Sequence, residues 1–203
     1  MNPEKILTAA RSVRAAYERD RRARYGLLKP LVLPRVRCRA VGVEPFEWDG
    51  PYIAVRPDDD GETVTITVKP YPAVSGVCDG CSLSPDLHGC IEAALFHDPW
   101  YVDMDAMAED TGIPLPLLRR LGDAVFGALC RAYGAPSIVA RVYYNTVRWL
   151  GGLYHRAKPH LPVPVIGATL AALTLAGCAG CAVPDILDGD PDAPVWEGPT
   201  NAD

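Results

Sequence analysis

Residues 63–68 alternate strictly between hydroxyl and aliphatic side chains, and this run constrains the fold more than any other feature. A period of two over six residues predicts a half-buried antiparallel strand. An acidic turn sequence ending in glycine occupies residues 58–61, and a short apolar run occupies residues 52–55. The three segments together predict a β-hairpin. Short aliphatic runs near residues 32, 36, 41 and 43 predict further strands.

The remaining patterns are helical. Apolar residues recur at spacings of three and four over residues 3–25, which predicts an amphipathic N-terminal helix ending before Gly26 and Pro30. A second helix is predicted from Gly89 to Phe96, and Pro99 should kink or end it near Asp98. Two more helices are predicted at about residues 117–133 and 137–154.

Strands followed by helices predict the α+β class. We expect a small antiparallel hairpin or sheet packed on a three-helix unit, with an extra N-terminal helix and a mostly irregular C-terminal tail. The predicted organisation is a basic N-terminal helix at 1–30, an α+β domain at 31–158, and an apolar segment with an acidic, proline-rich tail at 159–203.

The composition is that of a globular protein, with 49% hydrophobic and 22% charged residues. A net charge of −5 argues against a general nucleic-acid binder. The charge is unevenly distributed, because residues 5–39 are rich in arginine and residues 185–203 contain no basic residue. A solvated helix face is the favoured explanation of the basic region, and a face for an anionic partner is the alternative.

Two neighbouring segments carry the side chains best suited to chemistry. The first is a loop with Asp79 and Ser82, and the second is a helix with His97, Asp98 and Tyr101. His97 and Tyr101 share a helix face because they are four residues apart.

An aspartate on the next helix, Asp123, would accept the N–H of the His97 imidazole if the two helices pack antiparallel. The other imidazole nitrogen would then be left to activate a water. Asp79 and Asp98 offer hard oxygen ligands for a cation such as Ca²⁺. In the alternative and favoured interpretation, Asp79, Ser82, His97 and Asp123 only hold the loop against the helices, and Arg148 is a structural ion-pair partner.

Four short motifs occur in order between residues 52 and 156. They are Asp79-Gly80-Cys81-Ser82-Leu83, Ala93-Ala94 with His97-Asp98 and Tyr101, Asp123-Ala124 with Phe126, and Val147-Arg148 with Gly151-Gly152. In this half of its length the chain resembles a widespread family of uncharacterised proteins from tailed bacteriophages and prophages. The resemblance implies a phage origin, and it implies no particular reaction.

The histidine helix is also similar in outline to the secreted phospholipases A2, which carry H-D-x-x-Y on one helix and an aspartate on an antiparallel partner. That similarity implies His97 as the general base, Asp123 as its orienting group and Asp98 as a calcium ligand, with Tyr101 and Ser82 in the same candidate site. The glycine-rich calcium loop of those enzymes is missing here.

Seven cysteines make the chain cysteine-rich, and an odd number cannot all pair within one chain. Cys78 and Cys81, with Cys38 and Cys90, have the ligand number of a zinc or iron–sulfur site. Disulfides or plain buried thiols are favoured over metal binding, since no other zinc-type motif accompanies the pair.

Residues 162–183 contain no charged side chain and are long enough to span a bilayer. Many of them are small, so a buried helix in an assembly is the competing prediction. Membrane contact through this segment would place the protein in the host inner membrane as a lysis accessory.

The leading expectation is a virion component of the tail or baseplate region that docks on other phage structural proteins or on copies of itself. The first alternative is a phage hydrolase acting on host envelope lipid or peptidoglycan through His97 and Asp123, and the lysis accessory is the second.

Overall fold

The computed structural model describes residues 15–20, 24–80 and 89–157, with side chains to residue 148. Within these ranges it contains two antiparallel sheets and three α-helices, so the predicted α+β class is confirmed. Strand β1 spans Tyr17–Arg19, β2 Tyr25–Leu27, β3 Leu31–Val36, β4 Trp48–Asp49, β5 Ile53–Pro57 and β6 Val64–Val68. Helix α1 spans Cys90–Thr111, α2 Leu115–Ala132 and α3 Ser137–Ala157.

The predicted hairpin is the centre of the larger sheet. Strands β5 and β6 pair antiparallel, with Val55 opposite Ile66, and the four strands lie in the order β3-β6-β5-β4. Val64, Ile66 and Val68 are buried, whereas the threonines between them are half-buried on the opposite face. The alternation read from the sequence therefore matches the pleat of the strand.

Side chains close the hairpin turn. Asp58 accepts hydrogen bonds from the hydroxyls of Thr63 and Thr65, and Asp60 accepts one from the backbone N–H of Thr63. These local bonds satisfy the turn and fix the register of the two strands.

The predicted N-terminal helix is wrong over its C-terminal part. Strands β1 and β2 form a small hairpin, with Tyr17 opposite Leu27. Asp20 closes this hairpin, because its carboxylate accepts both the backbone N–H and the side-chain Nε of Arg24 at 2.9 Å. Residues 1–14 and 21–23 lie outside the described part of the chain.

The strands predicted at residues 41 and 43 are also wrong. Cys38–Val41 forms a short 3₁₀-helix that ends at Gly42, whose φ of 82° is left-handed. Glycine adopts this conformation without steric cost, so the chain turns there and does not extend.

Pro99 was predicted to kink or end its helix near Asp98, and the second alternative is wrong because Pro99 lies inside α1. A proline has no N–H to donate to the carbonyl four residues earlier, here that of Leu95. The hydroxyl of Tyr71 donates to this carbonyl oxygen at 3.1 Å. The Leu95 carbonyl thus accepts a hydrogen bond from a residue that follows the last strand of the sheet, and the helix continues to Thr111.

Helices α1 and α2 pack antiparallel across a short turn at residues 112–114. Trp100 of α1 fits over Gly122 of α2, where a Cβ would stand only 2.5 Å from the indole ring. Asp103 fastens α1 to the sheet by accepting the backbone N–H groups of Tyr52 and Ile53, both at 2.8 Å. Helix α1 is therefore packed against α2 and tied to the larger sheet by hydrogen bonds.

Several predictions fall outside the described residues. They concern Cys81, Ser82, the apolar segment at 162–183 and the acidic tail. Among the residues that the structure does describe, no helix is both long enough and apolar enough to cross a bilayer.

Candidate functional site

The side chain of His97 lies between two carboxylates. Its Nε2 is 3.1 Å from Oδ1 of Asp123 on α2, and its Nδ1 is 3.6 Å from Oδ1 of Asp98, the next residue of α1. The first distance is a hydrogen bond, whereas the second is an ionic contact slightly beyond hydrogen-bond range. The structure thus brings His97 and Asp123 together as the sequence predicts.

Tyr101 contacts both the imidazole of His97 and the Asp123 oxygen that the imidazole binds. Its hydroxyl donates to Asp123 Oδ1 at 2.8 Å, and its ring centroid is 4.4 Å from that of His97. Phe126 covers another side of the imidazole, with its ring centroid at 4.9 Å. The imidazole is therefore fixed by aromatic packing as well as by charge.

Asp123 is fully buried and faces cations on two helices. Its Oδ2 lies 3.8 Å from Nε of Arg119 and 4.0 Å from Nη1 of Arg148. Arg119 also donates to the backbone carbonyl of Arg148 at 3.1 Å, which ties α2 to α3. Arg148 thus occupies the ion-pair position expected of it.

Burial and the two carboxylates act on the pKa of His97 in opposite directions. Burial opposes protonation of His97, but the hydrogen bond to Asp123, the contact with Asp98 and the charges of both carboxylates outweigh it, raising the pKa of His97 to about 9. The imidazole is therefore a cation at neutral pH, with both ring nitrogens protonated. In that state it has no lone pair with which to accept a proton from water.

Asp98 joins the helix cluster to the loop that contains Cys78. Burial raises the pKa of Asp98, and the neighbouring His97 partly offsets this effect. Burial also raises the pKa of the Cys78 thiol strongly, followed by the charge of Asp98. Cys78 is consequently a protonated thiol and a poor metal ligand or nucleophile.

The two carboxylates of the predicted calcium site, Asp79 and Asp98, interact electrostatically. The charge of Asp79 is one of the smaller contributions that raise the pKa of Asp98, after burial. Within the described ranges, however, no group of three or more His, Cys, Asp or Glu side chains is arranged to hold a metal ion. Ser82, the hydroxyl predicted for this site, lies outside those ranges.

The predicted cysteine site is equally incomplete. The four described cysteines, at positions 38, 78, 90 and 130, are all buried, and no two of them are joined by a disulfide. Cys38 donates to the carbonyl of Val36, within its own segment, at 3.6 Å. Cys81 lies outside the described residues.

Sequence reasoning missed Tyr71 and Arg119. Arg119 precedes Asp123 by one helical turn, so its i,i+4 spacing would have indicated the contact. Tyr71 is separated from Leu95 by 24 residues, and no local pattern connects them.

Comparison with protein-family models, with curated proteins and with solved structures finds no match to this chain. Its function is therefore inferred from its own residues.

Proposed function

We propose that this chain is a structural component of a tailed-phage virion, in the tail or baseplate region, that docks on other phage structural proteins or on copies of itself. The observation that carries the proposal is the placement of His97 between Asp98 and Asp123. An imidazolium held by two carboxylates fastens helices together and does not act as a general base at neutral pH.

The motif residues behave as one structural unit. His97 and Tyr101 come from α1, Phe126 from α2 and Arg148 from α3, and they surround Asp123 or the imidazole bound to it. These positions carry the resemblance to the phage family. Their convergence on a buried carboxylate supports a role for the motifs in building a rigid assembly unit.

Virion composition tests the proposal. Particles from a phage that encodes this chain should contain it at a fixed copy number after purification through a density gradient, as measured by quantitative mass spectrometry. A matched lysate from a phage lacking the gene should yield particles without tails or with incomplete baseplates. Absence of the chain from intact, infectious particles would overturn the proposal.

A hydrolase is the second candidate, and the bond from Tyr101 to the oxygen that binds His97 favours it. A histidine oriented by a buried aspartate is the arrangement of a general base. Here the imidazole becomes neutral only above about pH 9.

Turnover measurements separate the two candidates. Wild-type protein and Tyr101→Phe are incubated with phospholipid vesicles or peptidoglycan, with and without Ca²⁺, at pH 7 and pH 10. A structural component gives no product above the protein-free background under any condition. Product release that rises with pH and falls in Tyr101→Phe would establish the hydrolase instead.

A further inference from the structure

A pair of buried cysteines continues the line of side chains formed by His97 and Asp123. Cys90 precedes His97 by seven residues on α1, and Cys130 follows Asp123 by seven residues on α2. Seven residues are close to two helical turns, so each cysteine lies on the same helix face as its partner in the His–Asp contact. Because the helices are antiparallel, both displacements run in the same direction along the helix pair, and we expect Cys90 to lie opposite Cys130.

The backbone at this end of the helix pair is closely packed. A Cβ on Gly89, the neighbour of Cys90, would lie 3.2 Å from the carbonyl oxygen of Cys130. That carbonyl accepts the N–H of Ala135 at 2.9 Å, which fixes the end of α2. Both cysteine side chains have 0% exposure and belong to the same hydrophobic core. Facing residues on closely packed helices can reach the Cα separation of about 4.4–6.8 Å that a disulfide requires.

We propose that Cys90 and Cys130 form a disulfide between α1 and α2 when the protein meets a small-molecule disulfide such as oxidised glutathione. The thiolate of one cysteine attacks the donor, forms a mixed disulfide and releases one glutathione thiolate. The thiolate of the second cysteine then displaces the other glutathione and forms the intramolecular bond. Two cysteine thiols are oxidised, the donor is reduced to two glutathiones, and the two cysteine protons pass through solvent to the released thiolates.

Burial makes this reaction conditional on local opening. Thiolates are the reacting species, and apolar surroundings disfavour them. Cys90 is the first residue of α1, so fraying of a single helical turn exposes it. The reaction should therefore be slow in the native protein and faster in urea below the unfolding transition.

The test uses the full reduced chain with oxidised glutathione at pH 8, with and without such urea. Intact mass should fall by two hydrogens, and digestion locates the bond. Trypsin combined with a protease that cuts after acidic residues isolates Cys90 in residues 87–92 and Cys130 in residues 124–131. We expect these two peptides to be linked until a reductant is added.

Cys90→Ser and Cys130→Ser should each abolish the linked peptides, with alanine replacing serine if a serine variant does not fold. Cys38→Ser is the matched control, since Cys38 is buried in the 3₁₀-helix beside β3 and should leave the link intact. A bond that joins either cysteine to a different one would overturn the proposal. Two free thiols at 90 and 130 after incubation in urea would overturn it as well.

Discussion

Asp123 concentrates the electrostatics of the molecule at one residue. Its carboxylate has no exposed surface, accepts hydrogen bonds from His97 and Tyr101, and faces two arginines. A buried charge is tolerated only when compensated in this way, because its desolvation costs several kcal/mol. We therefore expect substitutions of the few residues around Asp123 to change the free energy of unfolding strongly.

Replacing His97 by glutamine should destabilise the fold strongly. The substitution removes the cation between Asp98 and Asp123 and leaves two buried carboxyls facing each other across an amide. Breaking a buried ion pair in this way costs about 3–5 kcal/mol. Urea unfolding monitored by tryptophan fluorescence measures the change in the free energy of unfolding.

An exposed ion pair provides the control for that experiment. Arg39 and Glu44 are 2.8 Å apart but have side-chain exposures of 52% and 76%. Arg39→Ala should therefore change the free energy of unfolding by less than about 1 kcal/mol. Equal effects of the two substitutions would mean that the His97 cluster does not stabilise the fold.

The sequence predicted the centre of this site but not its charge state. The i,i+4 relation of His97 and Tyr101 and an antiparallel partner helix were enough to bring Asp123 to the imidazole. The protonation of His97 is the balance between burial, which opposes it, and two carboxylates, which favour it. Asp98 and Asp123 could be named from the sequence, but the degree of burial is set by tertiary packing, about which periodicity along one helix carries no information.

At the scale of elements, α1 shows how a tertiary contact overrides a local signal. Pro99 is a strong helix terminator in the sequence, yet the Tyr71 hydroxyl supplies the hydrogen bond that the proline cannot make. The β5–β6 hairpin was predictable because its turn bonds and its alternation are local. The β1–β2 hairpin was not, since its strands are short and Tyr25 is held by a backbone bond to Cys78.

Tyr71→Phe should cost about 1–3 kcal/mol, because it leaves the buried Leu95 carbonyl without a donor. In a Pro99→Ala background the backbone N–H of the new alanine can donate to the Leu95 carbonyl. Tyr71→Phe should therefore lower the free energy of unfolding by less in that background. A double-mutant cycle by urea unfolding measures this coupling. Additive effects of the two substitutions would show that Tyr71 does not compensate for the proline.

Tyr133→Phe is the matched control for the loss of a tyrosine hydroxyl. The Tyr133 hydroxyl is buried and makes no hydrogen bond to any residue that the structure describes. Its removal should therefore leave the free energy of unfolding unchanged within about 0.5 kcal/mol, or raise it slightly.

Gly122→Ala should also destabilise the helix pair, against the usual preference for alanine. Alanine in a helix interior normally gains about 1 kcal/mol over glycine. Here the new methyl would meet the Trp100 ring, and overpacking of a core costs about 1–3 kcal/mol. Thermal unfolding should show a lower Tm for Gly122→Ala than for the wild-type protein. In a Trp100→Leu background, by contrast, Gly122→Ala should raise the Tm.

For the whole molecule, the raised pKa of His97 makes stability depend on pH. Below the ordinary histidine pKa of 6.5, the folded and unfolded chains both carry the proton, and the stabilisation is fully present. Between 6.5 and about 9 only the folded chain keeps it, so stability falls as pH rises. Above about 9 the contribution is lost. Burial of Asp98 raises the pKa of that carboxyl, so its ionisation acts in the same direction from acidic pH upward.

The free energy of unfolding should accordingly decrease by on the order of 3 kcal/mol between pH 6 and pH 9.5, given a pKa shift from 6.5 to about 9. Urea unfolding at pH steps across this range measures the decrease.

An NMR titration of the imidazole protons should show one histidine with a pKa near 9, and that resonance should be missing in His97→Gln. The other three histidines, at positions 88, 155 and 160, serve as internal controls on the same spectra. If the resonance absent from His97→Gln titrates at or below 6.5 in the wild-type protein, then His97 is neutral at pH 7 and free to act as a base, which favours the hydrolase over the virion component.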